Sequence, residues 1–141
     1  MQKLPKVLLV DDDSTAIFLN SLLLNKLGIT EQLLIARNGV EALQTLDRTC
    51  CESTASADPL LVLLDVNMPV MSGADFLEVY YQHPLAQKCR LVVVVLTSSE
   101  HCRDLDRIKA LPVSADILTK PLTREKVALI LEQHFQRQLL A

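Results

Sequence analysis

The sequence predicts an α/β protein with a doubly wound, five-stranded parallel sheet covered by helices on both faces. Five short apolar runs recur along the chain, and segments with helical spacing of apolar residues lie between them. The runs are continuous and do not alternate with polar residues, as is typical of strands buried on both faces of a parallel sheet. A strand–helix pair repeated five times favours this architecture, because parallel neighbouring strands need helical crossovers.

The five predicted strands are rich in Val, Leu and Ile. They are Val7–Val10, Leu33–Ala36, Leu60–Leu64, Leu91–Leu96 and Ile117–Leu118. None approaches the roughly 20 apolar residues that a membrane span requires, so we expect no membrane association.

The first predicted helix has a broad apolar stripe and ends at Gly28, a residue typical of helix C-termini. The stripe consists of Ile17, Leu19, Leu22, Leu23 and Leu27. Four further helices are predicted. The second helix follows Gly39, the third follows Gly73 and the fourth ends before Pro112. The fifth occupies the segment around Val127, Ile130, Leu131 and Phe135. The polar stretch TCCESTASADP at 49–59 predicts a surface loop before the third strand.

Size and composition indicate one compact domain over residues 1–141, and we expect no second domain. Half of the 141 residues are hydrophobic, and a net charge of -3 without a basic cluster argues against nucleic-acid binding. The N-terminus MQKLPK lacks the apolar segment of a signal peptide, so we expect a cytoplasmic protein. The four cysteines, Cys50, Cys51, Cys89 and Cys102, show no zinc-like spacing. The three histidines, His83, His101 and His134, are expected to be solvated.

Polar residues follow four of the predicted strands. These are Asp11-Asp12-Asp13 after the first, Asp65 after the third, Thr97-Ser98-Ser99 after the fourth and Thr119-Lys120-Pro121 after the fifth. Because ligands of such sheets bind beyond the carboxyl ends of the strands, we expect these side chains to lie together.

A cluster of carboxylates at that edge needs a cation. Two carboxylates about 4 Å apart repel by roughly 4 kcal/mol at an effective dielectric constant of 20. Lys120 neutralises part of this charge, and a hard divalent ion such as Mg²⁺ would neutralise the rest. A carboxylate beside Mg²⁺, a lysine and a hydroxyl is a phosphoryl-transfer site in which the carboxylate can form an acyl phosphate. Helix capping explains a single strand-end Asp, but not the whole set; we expect Asp13, together with Ser14, to cap the first helix.

The segment VLLDVNMPVMSG at 62–73 makes the prediction specific. It resembles the phosphoacceptor segment of two-component response-regulator receiver domains, whose D-x-x-M-P-x-x-x-G pattern is matched by Asp65, Met68, Pro69 and Gly73. The acidic pair, the hydroxyl residue and the Lys-Pro pair of that family are also present in order. The resemblance extends from Lys6 to Gln138 and implies a flavodoxin-like (βα)5 fold.

The resemblance also implies the roles of the acidic residues. Asp65 would be phosphorylated by a sensor histidine kinase or a histidine phosphotransfer protein. Asp11, Asp12, Asp65 and the backbone carbonyl of Asn67 would hold Mg²⁺.

The remaining roles implied by the family concern the switch. Lys120 would pair with Asp65 and then with the phosphoryl group, with a cis peptide to Pro121, and Thr97 would carry the conformational signal. Ile117 stands where the family has an aromatic switch residue, which departs from the usual threonine–aromatic coupling. Ser98 and Ser99 follow Thr97, and in this family Ser99 and Asn67 flank the phosphoryl group where its dephosphorylation rate is tuned. The glycine usual after the fourth helix is replaced by Pro112-Val113.

We therefore expect a stand-alone receiver that catalyses only its own phosphorylation and dephosphorylation. Its output would be phosphorylation-dependent binding of a downstream protein through the face formed by the fourth helix, fifth strand and fifth helix. An intermediate receiver that passes phosphoryl groups to a histidine phosphotransfer protein is an alternative.

A second alternative comes from the same acidic triplet. DDDST also matches the D-x-D-x-T motif of haloacid-dehalogenase-like phosphatases, with Asp11 as nucleophile and Asp13 as general acid. Those enzymes need a further acidic pair after the lysine, and only Glu125 and Glu132 remain there, on the expected wet face of the last helix. A dinucleotide-binding enzyme is not favoured, because no G-x-G-x-x-G follows the first strand.

Overall fold

The computed structural model describes residues 3–52, 60–66, 68, 71–82, 91–98, 103–111 and 115–136. Strands and helices alternate along these residues as β1 Leu4–Val10, α1 Ser14–Leu27, β2 Thr30–Ala36, α2 Gly39–Glu52, β3 Leu60–Asp65, α3 Gly73–Gln82, β4 Leu91–Thr97, α4 Arg103–Ala110, β5 Ala115–Thr119 and α5 Arg124–Phe135. All strands are parallel, in the order β2-β1-β3-β4-β5, which confirms the predicted doubly wound architecture. Across these ranges no helix combines the length and the apolar character that crossing a bilayer requires.

Both faces of the sheet are buried, which explains the unbroken apolar runs. Along β1, Leu8 and Val10 belong to a core shared with α2, α3 and α4, whereas Val7 and Leu9 belong to a core shared with α1 and α5. Successive strand residues point to opposite faces, so every position from Val7 to Val10 must be apolar.

Helix α1 begins and ends where its sequence predicts. The Asp13 side chain accepts a hydrogen bond from the Thr15 backbone N–H at 2.9 Å and is the N-cap. Gly28 has φ +63°, and its N–H reaches the carbonyls of Leu24 and Asn25, a geometry that glycine adopts without strain. The expected share of Ser14 in the cap is wrong, because Ser14 is already helical.

The buried face of α1 differs from the predicted stripe. Ile17 and Leu24 are buried, whereas Leu19 and Leu22 are each 56% exposed, beside Phe18 at 65%. A helix this rich in leucine offers several apolar faces, and periodicity does not decide which one meets the sheet. The result is an apolar patch of Phe18, Leu19 and Leu22 on the outer side of α1, here called the α1 patch.

The expected loop at 49–59 is partly wrong. Helix α2 continues to Glu52, so its last turn includes Thr49 and the backbone of Cys50 and Cys51. Residues 53–59 lie outside the described part of the chain, as do Cys89 and Cys102. His134 is half-buried with Nε2 against the Asp116 carboxylate, so the expectation of a simply solvated side chain is wrong for it, while His83 and His101 lie outside the described residues.

Helices α3 and α4 are joined by a cluster of charges. The Arg107 guanidinium donates to both carboxylate oxygens of Glu78, at 3.2 and 2.9 Å, and to Asp75 Oδ1 at 2.7 Å. This hydrogen bond from Arg107 holds the pKa of Asp75 below its ordinary value. The fork geometry of arginine suits such bidentate pairing and connects the first two turns of α3 to α4.

Gly73, the first residue of α3, lies against the strand that carries Asp65. A Cβ at Gly73 would lie 2.8 Å from the Asp65 carbonyl oxygen and 3.1 Å from Val66 Cα, both of them backbone atoms. The Gly73 N–H also donates to the Val66 carbonyl at 3.0 Å. The final glycine of the D-x-x-M-P-x-x-x-G pattern therefore allows α3 to start in contact with the end of β3.

We predict that Gly73→Ala lowers the free energy of unfolding by about 2 kcal/mol, because backbone must shift to admit the methyl group. Gln44→Ala, at an exposed position of α2, is the control and should leave the free energy of unfolding within about 0.5 kcal/mol of the wild type. Urea denaturation measures both variants, and equal losses of stability would contradict this account.

Candidate functional site

Four strand ends bring the predicted site residues together at one edge of the sheet. Asp11 follows β1, Asp65 ends β3, Thr97 ends β4 and Lys120 follows β5. Asp11, Asp65 and Thr97 are buried, whereas Asp12 is exposed. Lys120 Nζ lies 3.0 Å from Asp65 Oδ1, so the predicted lysine–aspartate pair is formed.

The acidic residues form a cluster that suits a hard cation. Asp11, Asp12 and Asp65 each offer a carboxylate oxygen, and these oxygens lie within 4.8 Å of one another. Oxygen ligands from carboxylates are the set that Mg²⁺ prefers. These residues fit the predicted metal, and the fourth predicted ligand, Asn67, lies outside the described residues.

Asp11 has an unusual protonation equilibrium in the metal-free site. Its pKa is raised from the ordinary 3.8 to about 6, chiefly by burial, and the charge of Asp65 and a hydrogen bond with it act in the same direction. The Asp13 backbone N–H, which donates to Asp11 Oδ1 at 2.9 Å, and the charge of Lys120 lower the pKa and offset part of this rise. The site therefore holds more negative charge than its own lysine and amide groups neutralise.

Lys120 is fixed at its backbone as well as at its ammonium group. Its N–H donates to the Thr97 carbonyl at 2.8 Å, which ties the β5–α5 loop to the end of β4. The Lys120–Pro121 peptide is cis, as the family resemblance implies. Pro121 itself is exposed.

The other predicted motif residues lie around this centre. Met68 is buried in the core cluster that packs on α2, α3 and α4. Ile117 is half-buried and packs against the same cluster, which includes Leu105 and Ile108 of α4. Ser98 is exposed, and Pro69 and Ser99 lie outside the described residues.

Sequence reasoning missed Lys126, whose ammonium group contacts the backbone carbonyls of Thr119 and Pro121. This lysine belongs to none of the motifs that predict the site. A signal was available in its position: Lys126 lies in the first turn of α5, where the helix dipole disfavours a cation.

We predict that Asp11→Asn stabilises the metal-free protein near neutral pH. The folded chain binds the Asp11 proton more tightly than the unfolded chain between pH 3.8 and about 6. The free energy of unfolding therefore falls as the pH rises through this window, and the loss persists above it. Asparagine removes the penalty but still accepts the Asp13 N–H, so we expect a gain on the order of 2 kcal/mol at about pH 7 that shrinks towards pH 4.

Urea denaturation in a metal chelator at the two pH values measures this gain. Asp13→Asn is the matched control, because asparagine caps a helix as well as aspartate does and leaves Asp11 ionisable. A gain of equal size at both pH values would contradict the assignment to Asp11 ionisation.

The model of the response regulator receiver domain family matches residues 7–132. The probable chemotaxis protein CheY of Rhizobium etli is 29% identical over 130 residues, which cover 92% of this chain and 92% of that protein. A CpxR homolog, a transcriptional regulatory protein of Haemophilus influenzae, is 36% identical over 127 residues, which cover 89% of this chain. The match covers 48% of that relative, so this chain spans about half its length.

Solved structures share the fold. A two component response regulator from Cytophaga hutchinsonii aligns with a TM-score of 0.79 and 25% identity, covering 96% of this chain and 100% of that one. The receiver domain of a sensor histidine kinase from Pseudomonas aeruginosa, solved with a magnesium ion in its active site cleft, aligns with a TM-score of 0.71 over 94% of this chain and 98% of that one. Because the two sequences are 19% identical, this second similarity shows a shared fold alone. Sequence match and fold agree, and this chain therefore belongs to the response regulator receiver domains of two-component systems.

Proposed function

We propose that this chain is a phosphoacceptor that is phosphorylated on Asp65 and signals by phosphorylation-dependent protein binding. Phosphorylation of an aspartate with Mg²⁺ is general for the family, which serves signalling more than catalysis. The observation that supports Asp65 is its position: it is buried at the end of β3, 3.0 Å from the Lys120 ammonium and within the acidic cluster.

The chemistry assigned to Asp65 is a single displacement. A carboxylate oxygen of Asp65 forms a bond to the donor's phosphorus, the bond between phosphorus and the donor breaks, and the donor leaves with the electron pair. Mg²⁺, held by Asp11, Asp12 and Asp65, would supply positive charge to the phosphoryl oxygens. The Lys120 ammonium would pair with the same phosphoryl oxygens. The Thr97 hydroxyl lies at the end of the neighbouring strand and is a hydrogen-bond donor.

The donor would be a sensor histidine kinase or a histidine phosphotransfer protein. The α1 patch supports a protein donor, because Phe18 and Leu19 lie within two turns of the Asp13 cap and hence near the site. Phe18, Leu19 and Leu22 expose more than half of their surface there, and contiguous exposed apolar side chains are typical of protein contacts.

The output would be a shift between two conformations that changes the face formed by α4, β5 and α5. Thr97 and Thr119 are partners in register on β4 and β5, so a movement of Thr97 acts directly on the strand that carries Ile117. Ile117 in turn packs against the core that includes α4. This arrangement supports a route from the phosphoryl group to α4 without an aromatic switch residue.

The phosphatase alternative lacks support. Its general acid would be Asp13, whose carboxylate caps α1 through the Thr15 N–H. Membership of the receiver family also accounts for Met68 and Gly73, which the phosphatase motif does not.

We expect a small acyl-phosphate donor to label Asp65 in the presence of Mg²⁺, and expect neither Asp65→Asn nor chelator-treated protein to be labelled. Peptide mapping by mass spectrometry identifies the residue. Asp13→Asn is the control, because it replaces a neighbouring carboxylate that lies outside the cluster. This variant should be labelled like the wild type. Label on Asp11 with steady turnover of phosphate esters would overturn the proposal in favour of the phosphatase.

We expect Lys120→Ala to retain Mg²⁺ binding and to lose the conformational response. Removal of the ammonium leaves the three carboxylates in place for Mg²⁺, but no side chain from the end of β5 then pairs with the phosphoryl group. Calorimetry measures the metal affinity, and backbone amide chemical shifts of α4 and β5, with and without the phosphoryl mimic beryllofluoride, measure the response. Lys109→Ala, an exposed lysine on α4, is the matched control. A wild-type-like response of Lys120→Ala would exclude the proposed role.

A further inference from the structure

Lys126 contacts the backbone on both sides of the site lysine. From the first turn of α5, its ammonium group donates to the Pro121 carbonyl at 2.9 Å and also to the Thr119 carbonyl. These two carbonyls bracket Lys120 in the chain. One side chain thus binds the carbonyl of the residue before Lys120 and the carbonyl of the residue after it.

The identity of residue 126 is unusual for its place in the helix. Among the described residues, three helices begin with a polar side chain that accepts the backbone N–H of the residue three positions later: Asn38 from Glu41, Ser72 from Asp75, and Thr123 from Lys126. An acid at that third position suits the helix dipole in α2 and α3, and in α3 it completes a capping box, because Asp75 accepts the Ser72 backbone N–H. Helix α5 has a cation instead, which the dipole disfavours, so its contact with the loop carbonyls is the compensating interaction.

The loop is thereby fixed from two directions. On the sheet side, the Lys120 N–H donates to the Thr97 carbonyl at 2.8 Å. On the helix side, Lys126 holds the carbonyls before and after Lys120. The Lys120 side chain starts from this backbone and ends 3.0 Å from Asp65 Oδ1, so the loop position sets where its ammonium group lies.

We propose that Lys126 is a positioning residue for phosphorylation, which holds the 119–121 backbone so that the Lys120 ammonium meets Asp65 and the incoming phosphoryl group. This inference rests on the proposed function of Asp65. The two hydrogen bonds are exposed, so their effect is expected on the position of the loop and not on the stability of the whole fold. A misplacement of a charged group by a fraction of an ångström weakens transition-state stabilisation even when the fold is intact.

The test compares Lys126→Met with Lys26→Met. Methionine keeps the length and helix propensity of lysine but donates no hydrogen bond. Lys26 is an exposed lysine in the last turn of α1, at the opposite edge of the sheet, so its replacement makes the same charge change away from the site. The rate of Asp65 labelling by an acyl phosphate at saturating Mg²⁺ is measured for both and for Lys126→Arg.

We expect Lys126→Met to be labelled about fivefold more slowly than the wild type, the size of effect that one lost hydrogen-bonding group produces. Its Mg²⁺ affinity should match that of Lys26→Met, and Lys126→Arg should restore the rate because arginine can donate to both carbonyls. Hydrogen exchange at the Lys120 amide, which requires no phosphorylation, should be faster in Lys126→Met alone.

Two outcomes would overturn the inference. A wild-type rate in Lys126→Met, while the wild type is labelled on Asp65, excludes positioning and leaves the phosphoacceptor function standing. A defect that disappears at high salt indicates a long-range charge effect, since ionic screening removes such effects but not a displaced loop. Absence of Asp65 label in the wild type instead contradicts the proposed function itself.

Discussion

The excess of buried negative charge at the carboxyl edge of the sheet is the constraint on which the rest of this structure depends. Asp11 and Asp65 are almost fully buried, Asp12 joins them in one cluster, and Lys120 supplies one positive charge. Burial raises the pKa of Asp11, and the neighbouring charge of Asp65 adds to the rise. Such a site is costly without a cation, and for the same reason it suits a divalent ion such as Mg²⁺.

The backbone around the cluster is arranged to hold these side chains closely. The Asp13 N–H donates to Asp11, the Thr97 carbonyl accepts the Lys120 N–H, and Gly73 brings α3 against the Asp65 carbonyl. Each contact joins the site to a different element, so the geometry of the cluster depends on β1, β3, β4 and β5 at once. A shift of the backbone at one strand end therefore moves a side chain of the cluster relative to the side chains at the other three ends.

Local rules of periodicity, turn chemistry and strand-end polarity were enough to predict much of the fold and the centre of the site. The five strands, the ends of α1 at Asp13 and Gly28, and the pairing of Lys120 with Asp65 all obey these rules. The same rules did not predict the buried face of α1, because a helix with leucines on several sides has no unique apolar face until the sheet is present. The length of α2 was misjudged because Thr49 to Glu52 are polar or small and resemble a loop.

Contacts between distant side chains and backbone groups were beyond sequence reasoning for a related reason. Nothing local shows that Arg107 of α4 binds Asp75 and Glu78 of α3. Exposed ion pairs are individually weak, yet here one guanidinium bridges two carboxylates of the helix whose first residue touches the Asp65 carbonyl. Arg107 therefore joins α4 to the helix that begins at the Asp65 carbonyl, whatever residue stands at position 117. This contact is a structural link between the site and α4 that needs no aromatic ring.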